Sequence, residues 1–211
     1  MVPPTRQPAR AVRLGPDESG PSGGKFRTIM NLPNLITLGR ILSVPVMVWA
    51  IASGQMLIAF ALFVAAGVSD AVDGFLAKRF GMASELGAFL DPLADKVLIV
   101  SVYVALGISE ALPRWLVILV VSRDLMIIGA VILSWLVGKP VPLKPLFVSK
   151  LNTAAQIALA GLVLASLGLG FGAGWLLVAT SAAVAVLTLW SIAAYVREWV
   201  RHMGAADIAR Q

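Results

Sequence analysis

Residues 70–95 read DAVDGFLAKRFGMASELGAFLDPLAD, and an apolar run lies on either side of them. Asp70, Asp73, Asp91 and Asp95 thus fall where a lipid-compatible sequence would be expected to exclude charge. At 100° per residue, Asp70, Asp73, Gly74 and Ala77 share one helical face, and Gly87, Asp91 and Asp95 share another. The small residues Gly74, Ala77 and Gly87 remove bulk from those faces, so that backbones or a ligand can come close. Four carboxylates held near one another in a low dielectric repel, and a bound cation is the simplest remedy. All-oxygen ligands suit Mg²⁺ or Mn²⁺ better than zinc.

The surrounding composition makes this placement expensive. The chain has 211 residues, 59% of them hydrophobic, and 13% are charged where a soluble domain carries roughly 25%. Apolar runs recur at about the 20 residues needed to cross a bilayer core. The reading is an all-α integral membrane protein with six transmembrane helices near 35–54, 57–80, 86–107, 113–137, 149–169 and 173–196. A short interfacial helix is expected over 25–34. Residues 1–24, rich in Pro, Gly and Arg, read as a disordered basic tail. The membrane domain then covers 25–200, and 201–211 form a C-terminal tail. The chain has no cysteine, which excludes disulfides and thiolate metal sites. No nucleic-acid partner is expected.

Orientation follows from the distribution of basic residues. With both termini cytoplasmic, one side collects Arg6, Arg10, Arg13, Lys25, Arg27, Lys78, Arg79, Lys139, Lys144, Lys150, Arg197, Arg201 and Arg210. The other side has Arg114. The four aspartates then lie at similar depth, towards the cytoplasm. Ionised side chains inside a membrane cost at least a few kcal/mol and usually serve function. Structural ion pairs with Lys78, Arg79 and Lys96 are the bland alternative, and an ion or proton pathway is the competing functional one.

The spacing resembles the motif of the CDP-alcohol phosphatidyltransferase family, D-x2-D-G-x2-A-R-x8-G-x3-D-x3-D. Asp70, Asp73, Gly74, Ala77, Gly87, Asp91 and Asp95 agree at every spacing, and Lys78 stands where the family usually has Arg. Lysine keeps the charge and loses the bidentate fork. The resemblance extends over about residues 31–165, with Asn34, Thr37 and Arg40 similar to the start of the family's first span. LDPLADKVLI, VSRDLMIIGAV and LKPLFVSKLNT look most like cardiolipin synthases of the mitochondrial and related bacterial type.

The resemblance implies two metal ions held by Asp70, Asp73, Asp91 and Asp95, with Asp95 also acting as catalytic base. It implies CDP-diacylglycerol contacts at Gly74, Ala77, Lys78, Ser84 and Gly87, with Asn34 and Thr37 as further contacts. Asn34 serves equally well as a helix cap. Arg123, a cation in mid-span, and Lys150 are assigned to the acceptor, with an Arg123–Asp124 ion pair as the alternative. The expected acceptor is phosphatidylglycerol, giving cardiolipin and CMP, and glycerol 3-phosphate is the alternative acceptor. A homodimer is implied by the family. The Ala, Gly and Val richness and the Arg- and Pro-bearing tail favour a bacterial cytoplasmic membrane over a mitochondrial inner membrane.

Overall fold

The computed structural model describes residues 32–80, 85–136 and 147–208. They form six helices: α1 Leu32–Ala52, α2 Met56–Phe80, α3 Glu85–Ile108, α4 Arg114–Leu136, α5 Phe147–Leu169 and α6 Gly174–Ile208. The expected tail and residues 25–31 of the expected interfacial helix lie outside the described residues. So does Ser84.

The breaks follow local backbone chemistry. At the end of α1, Gly54 takes a φ of 71°. The amide of Gln55 then bonds back to the Ala50 carbonyl at 2.8 Å and that of Gly54 to Ile51 at 3.0 Å. This is the Schellman arrangement, which satisfies carbonyls that a helix end leaves open and which favours glycine at the left-handed position. Pro45 lies inside α1 and Pro92 inside α3. Such interruptions are tolerated in membrane helices where neighbouring groups re-satisfy the backbone.

α1 packs along both α2 and α3, α2 packs on α5, and α5 on α6, with α4 held between α3 and α6. The shared core contains Met47, Ile51, Val102, Tyr103, Leu106, Leu116, Val120, Leu159 and Leu164. Near Gly168 the α5 and α2 backbones come so close that a Cβ would sit 2.9 Å from the Leu57 Cα. Polar groups also join helices internally: Thr188 donates to Asn152 at 3.0 Å, and the Tyr103 hydroxyl donates to the Gln156 carbonyl at 3.0 Å. Side-chain hydrogen bonds of this kind help associate helices where no water competes.

The outer surface is apolar: Leu42, Trp49, Ile118, Trp175 and Val178 all point outward. On length and composition, α1 over Leu35–Ala52, α5 over Phe147–Leu169 and α6 over Gly174–Glu198 can cross a membrane. The described part of α2 is apolar over Met56–Val72. The sixth span, expected over 173–196, coincides with the apolar stretch Gly174–Glu198, and α6 continues unbroken beyond it to Ile208. Its 35 residues make it about 52 Å long at 1.5 Å per residue. Hydropathy marks where a helix leaves the apolar phase, whereas backbone hydrogen bonding carries the helix past that point.

Candidate active site

The acidic residues come together through α1. Arg40 lies on this helix and is 3% exposed. One terminal guanidinium nitrogen of Arg40, Nη1, lies 2.7 Å from an Asp95 oxygen and 3.0 Å from an Asp70 oxygen. Three residues earlier, the fully buried Thr37 donates its hydroxyl to Asp91 at 2.5 Å. Thr37 and Arg40 are three residues apart on one helical face, so a single stripe of α1 reaches both acidic helices.

α1 packs against both acidic helices, and its arginine links Asp70 of α2 with Asp95 of α3. The reason is electrostatic. Carboxylates brought face to face repel, while an intervening guanidinium attracts both and can donate to both. The sequence signal for Arg40 is a single cation within an otherwise apolar helix, a costly placement that calls for a partner.

The other expected site residues distribute as follows. Asp73, Ala77 and Lys78 lie on α2, Asn34 on the first turn of α1, and Gly87 on the first turn of α3. The side chains of Asn34, Asp73, Ala77 and Lys78 are outside the described set. Gly74 is exposed, with open space where its Cβ would be, consistent with close approach by a ligand. Thr37, expected as a nucleotide contact, holds Asp91.

A cavity of about 280 Å³ opens beside this group. Arg40, Asp70, Asp95 and Lys96 supply its charged wall, with Thr153 nearby. Phe63, Ala66, Gly67, Leu98, Ile99 and Ile157 make most of the remaining wall apolar. The chamber thus brings a carboxylate cluster next to a surface suited to hydrocarbon.

The acceptor residues assigned from sequence do not lie in that wall. Lys150 is exposed on the first turn of α5. Arg123 is 1% exposed, and its donors are directed to Asp124 at 2.6 Å, Ser149 at 2.6 Å, and Ser191 at 2.8 and 3.1 Å. Its guanidinium also lies 5.8 Å from the centre of the Tyr195 ring. The ion-pair alternative weighed for Arg123 is thus present, with Ser149 and Ser191 as added partners. Helical spacing could place Arg123 in mid-span but could not identify partners contributed by α5 and α6.

The donor chemistry suits a hard divalent cation. The site offers carboxylate oxygens, and Asp70 and Asp95 already converge on one cationic nitrogen. Among the described residues no group of three acidic or histidine side chains is arranged to hold a metal. The Asp73 carboxylate lies outside that set.

A sequence profile described as CDP-alcohol phosphatidyltransferase matches residues 30–194. The chain belongs to that family. Among its relatives, a rice protein named CDP-diacylglycerol–glycerol-3-phosphate 3-phosphatidyltransferase 1, chloroplastic, is 40% identical over 168 residues, covering 70% of this chain and 51% of the rice protein. A probable phosphatidylglycerophosphate synthase of Mycobacterium tuberculosis is 37% identical over 151 residues, covering 69% of this chain and 70% of its own. A cardiolipin synthase (CMP-forming) of Streptomyces coelicolor is 33% identical over 198 residues, covering 86% of this chain and 87% of its own. The match spans about half the length of several relatives, including 47% of a probable cardiolipin synthase of Drosophila melanogaster. The CDP-alcohol phosphatidyltransferase match includes all four motif aspartates, together with Thr37, which holds Asp91, and Arg40, which holds Asp70 and Asp95.

Proposed function

We propose that this protein transfers the phosphatidyl group of CDP-diacylglycerol to phosphatidylglycerol, forming cardiolipin and CMP in phospholipid biosynthesis. One observation carries the reading: the carboxylates of Asp70 and Asp95 share a cavity with a largely apolar wall. Such a chamber suits a reaction between two lipids. Family membership supports transfer chemistry over the ion-pathway alternative.

In the reaction, a hydroxyl oxygen of the acceptor attacks the lipid-side phosphorus of the CDP-lipid. Its new P–O bond forms as the bond to the oxygen leaving with CMP breaks. Asp95, at the cavity wall, accepts the hydroxyl proton, a role suited to a carboxylate beside an alcohol. Arg40 fixes Asp95 and Asp70 by charge-assisted hydrogen bonds, and Thr37 fixes Asp91. Asp70, Asp73, Asp91 and Asp95 would hold two Mg²⁺ or Mn²⁺ ions, which when bound neutralise diphosphate charge and favour CMP departure. Asn34, Gly74, Ala77, Lys78, Ser84 and Gly87 form the proposed nucleotide and diphosphate side of the site. Lys150 remains a proposed peripheral contact for an anionic acceptor, and Arg123 acts on that acceptor through its neighbours.

The proposed setting is a bacterial cytoplasmic membrane, crossed by six helices with both termini cytoplasmic, in a homodimer. The six helices and their apolar exterior support the spanning part of this reading. The second reading, phosphatidylglycerophosphate synthesis from glycerol 3-phosphate, is supported by the names of the rice and mycobacterial relatives. Purified protein supplied with CDP-diacylglycerol, Mg²⁺ or Mn²⁺, and one acceptor at a time decides the matter. The expected result is CMP and cardiolipin with phosphatidylglycerol. Phosphatidylglycerophosphate from glycerol 3-phosphate, with phosphatidylglycerol inert, establishes the second reading. Failure to release CMP with either acceptor overturns the transferase reading.

A further inference from the structure

Lys96, Asp124 and Arg123 take no direct part in the reaction above, yet they form a connected charged chain ending at the cavity. Lys96 Nζ lies 2.9 Å from one Asp124 oxygen, and Arg123 donates to the other at 2.6 Å. Asp124 is 2% exposed and Arg123 1%, whereas the Lys96 side chain is 34% exposed and lines the cavity with Asp95. Ser149 on α5 and Ser191 on α6 complete the fixing of Arg123. The chain therefore ties α3, α4, α5 and α6 together.

The charges within it do different work. Arg123 and Asp124 are both buried, and their pairing offsets much of the desolvation cost of each. Their charges cancel, leaving the Lys96 ammonium as the net charge of the chain, facing the cavity. A lysine on a flexible four-carbon stem would otherwise sample many positions, and Asp124 draws this one towards α4. Lys96 follows the proposed base, Asp95, directly in the sequence and lines the same cavity.

We infer that Lys96 binds the phosphate of the acceptor alcohol, and that Asp124, held by Arg123, is a positioning residue that aims the ammonium. This rests on the transferase reading above and adds the contact by which that site selects an anionic acceptor. A glycerol-phosphate group supplies the required chemistry, whether free or carried by a lipid. Phe63, Ala66, Ile99 and Ile157 in the same wall favour the lipid-borne form.

The test uses full-length protein with Lys96→Gln, Lys96→Arg and Asp124→Asn, following CMP release. At saturating CDP-diacylglycerol, phosphatidylglycerol or glycerol 3-phosphate is varied in separate arms. A hydrogen bond to a charged group is worth roughly 1.5–3 kcal/mol, so Lys96→Gln should raise the acceptor KM about tenfold or more. The KM for CDP-diacylglycerol and the melting temperature should change little. Lys96→Arg should restore most acceptor affinity, and Asp124→Asn should give a smaller rise in acceptor KM. A shift in the phosphatidylglycerol arm assigns the contact to a lipid headgroup, and one confined to glycerol 3-phosphate assigns it to a free phosphate. An unchanged acceptor KM in Lys96→Gln, or equal losses for donor and acceptor, overturns the inference while leaving the transferase reading standing. Wild-type protein inactive with both acceptors defeats both.

Discussion

Replacing Arg40 with Met tests whether this arginine is what allows the acidic helices to coexist. The substitution keeps an unbranched apolar stem and deletes a guanidinium lying 2.7 Å from Asp95 and 3.0 Å from Asp70. Breaking a fully buried ion pair costs roughly 3–5 kcal/mol, and an exposed pair contributes about 1 kcal/mol or less. Here the arginine side chain is 1% exposed and the two carboxylate side chains 49% and 48%. The loss should fall between those limits, at about 2 kcal/mol. For a chain of this size that corresponds to a fall in melting temperature of about 4–8 °C. The assay is thermal unfolding in detergent, with EDTA and with saturating Mg²⁺. Because a divalent cation can replace the missing positive charge, Mg²⁺ should recover more stability in Arg40→Met than in wild type. Arg40→Lys should lie between the two, since it retains charge without the planar fork. An unchanged melting temperature in EDTA would refute the bridging role of Arg40. A loss that Mg²⁺ does not reduce would refute the idea that Arg40 and a metal relieve the same repulsion.

Asp91→Asn should give folded, membrane-inserted protein with no measurable CMP release at saturating Mg²⁺ or Mn²⁺, and substantial turnover would count against the two-metal assignment. Lys78→Arg should be tolerated or improve use of CDP-diacylglycerol, while Lys78→Ala should raise its KM; an unchanged KM in the alanine variant would shift that role to another group. A reporter fused after Gln211 should be active on the cytoplasmic side, and activity confined to the opposite face would reverse the proposed orientation.

Six helices and the positions of the acidic residues were legible from the sequence because both depend on local order. Apolar runs of membrane-spanning length mark helices, and Gly54, Glu85 and Gly174 lie at or beside observed helix boundaries. A 3.6-residue period then assigns Asp70 and Asp73 to one face and Asp91 and Asp95 to another. The motif specified the family from residue types and spacings alone. Tertiary structure decided which charges meet. Arg40 reaches Asp70 across 30 positions of sequence and Asp95 across 55, while Arg123 reaches Ser191 across 68. No helical period carries information over such separations, and hydropathy treats every cation alike. Packing alone turned Arg40 into the bridge between two acidic helices, sealed Arg123 against Ser149 and Ser191, and left Lys96 at the cavity wall. In a low-dielectric interior each charge must find a partner, and the partner available is set by which helices touch.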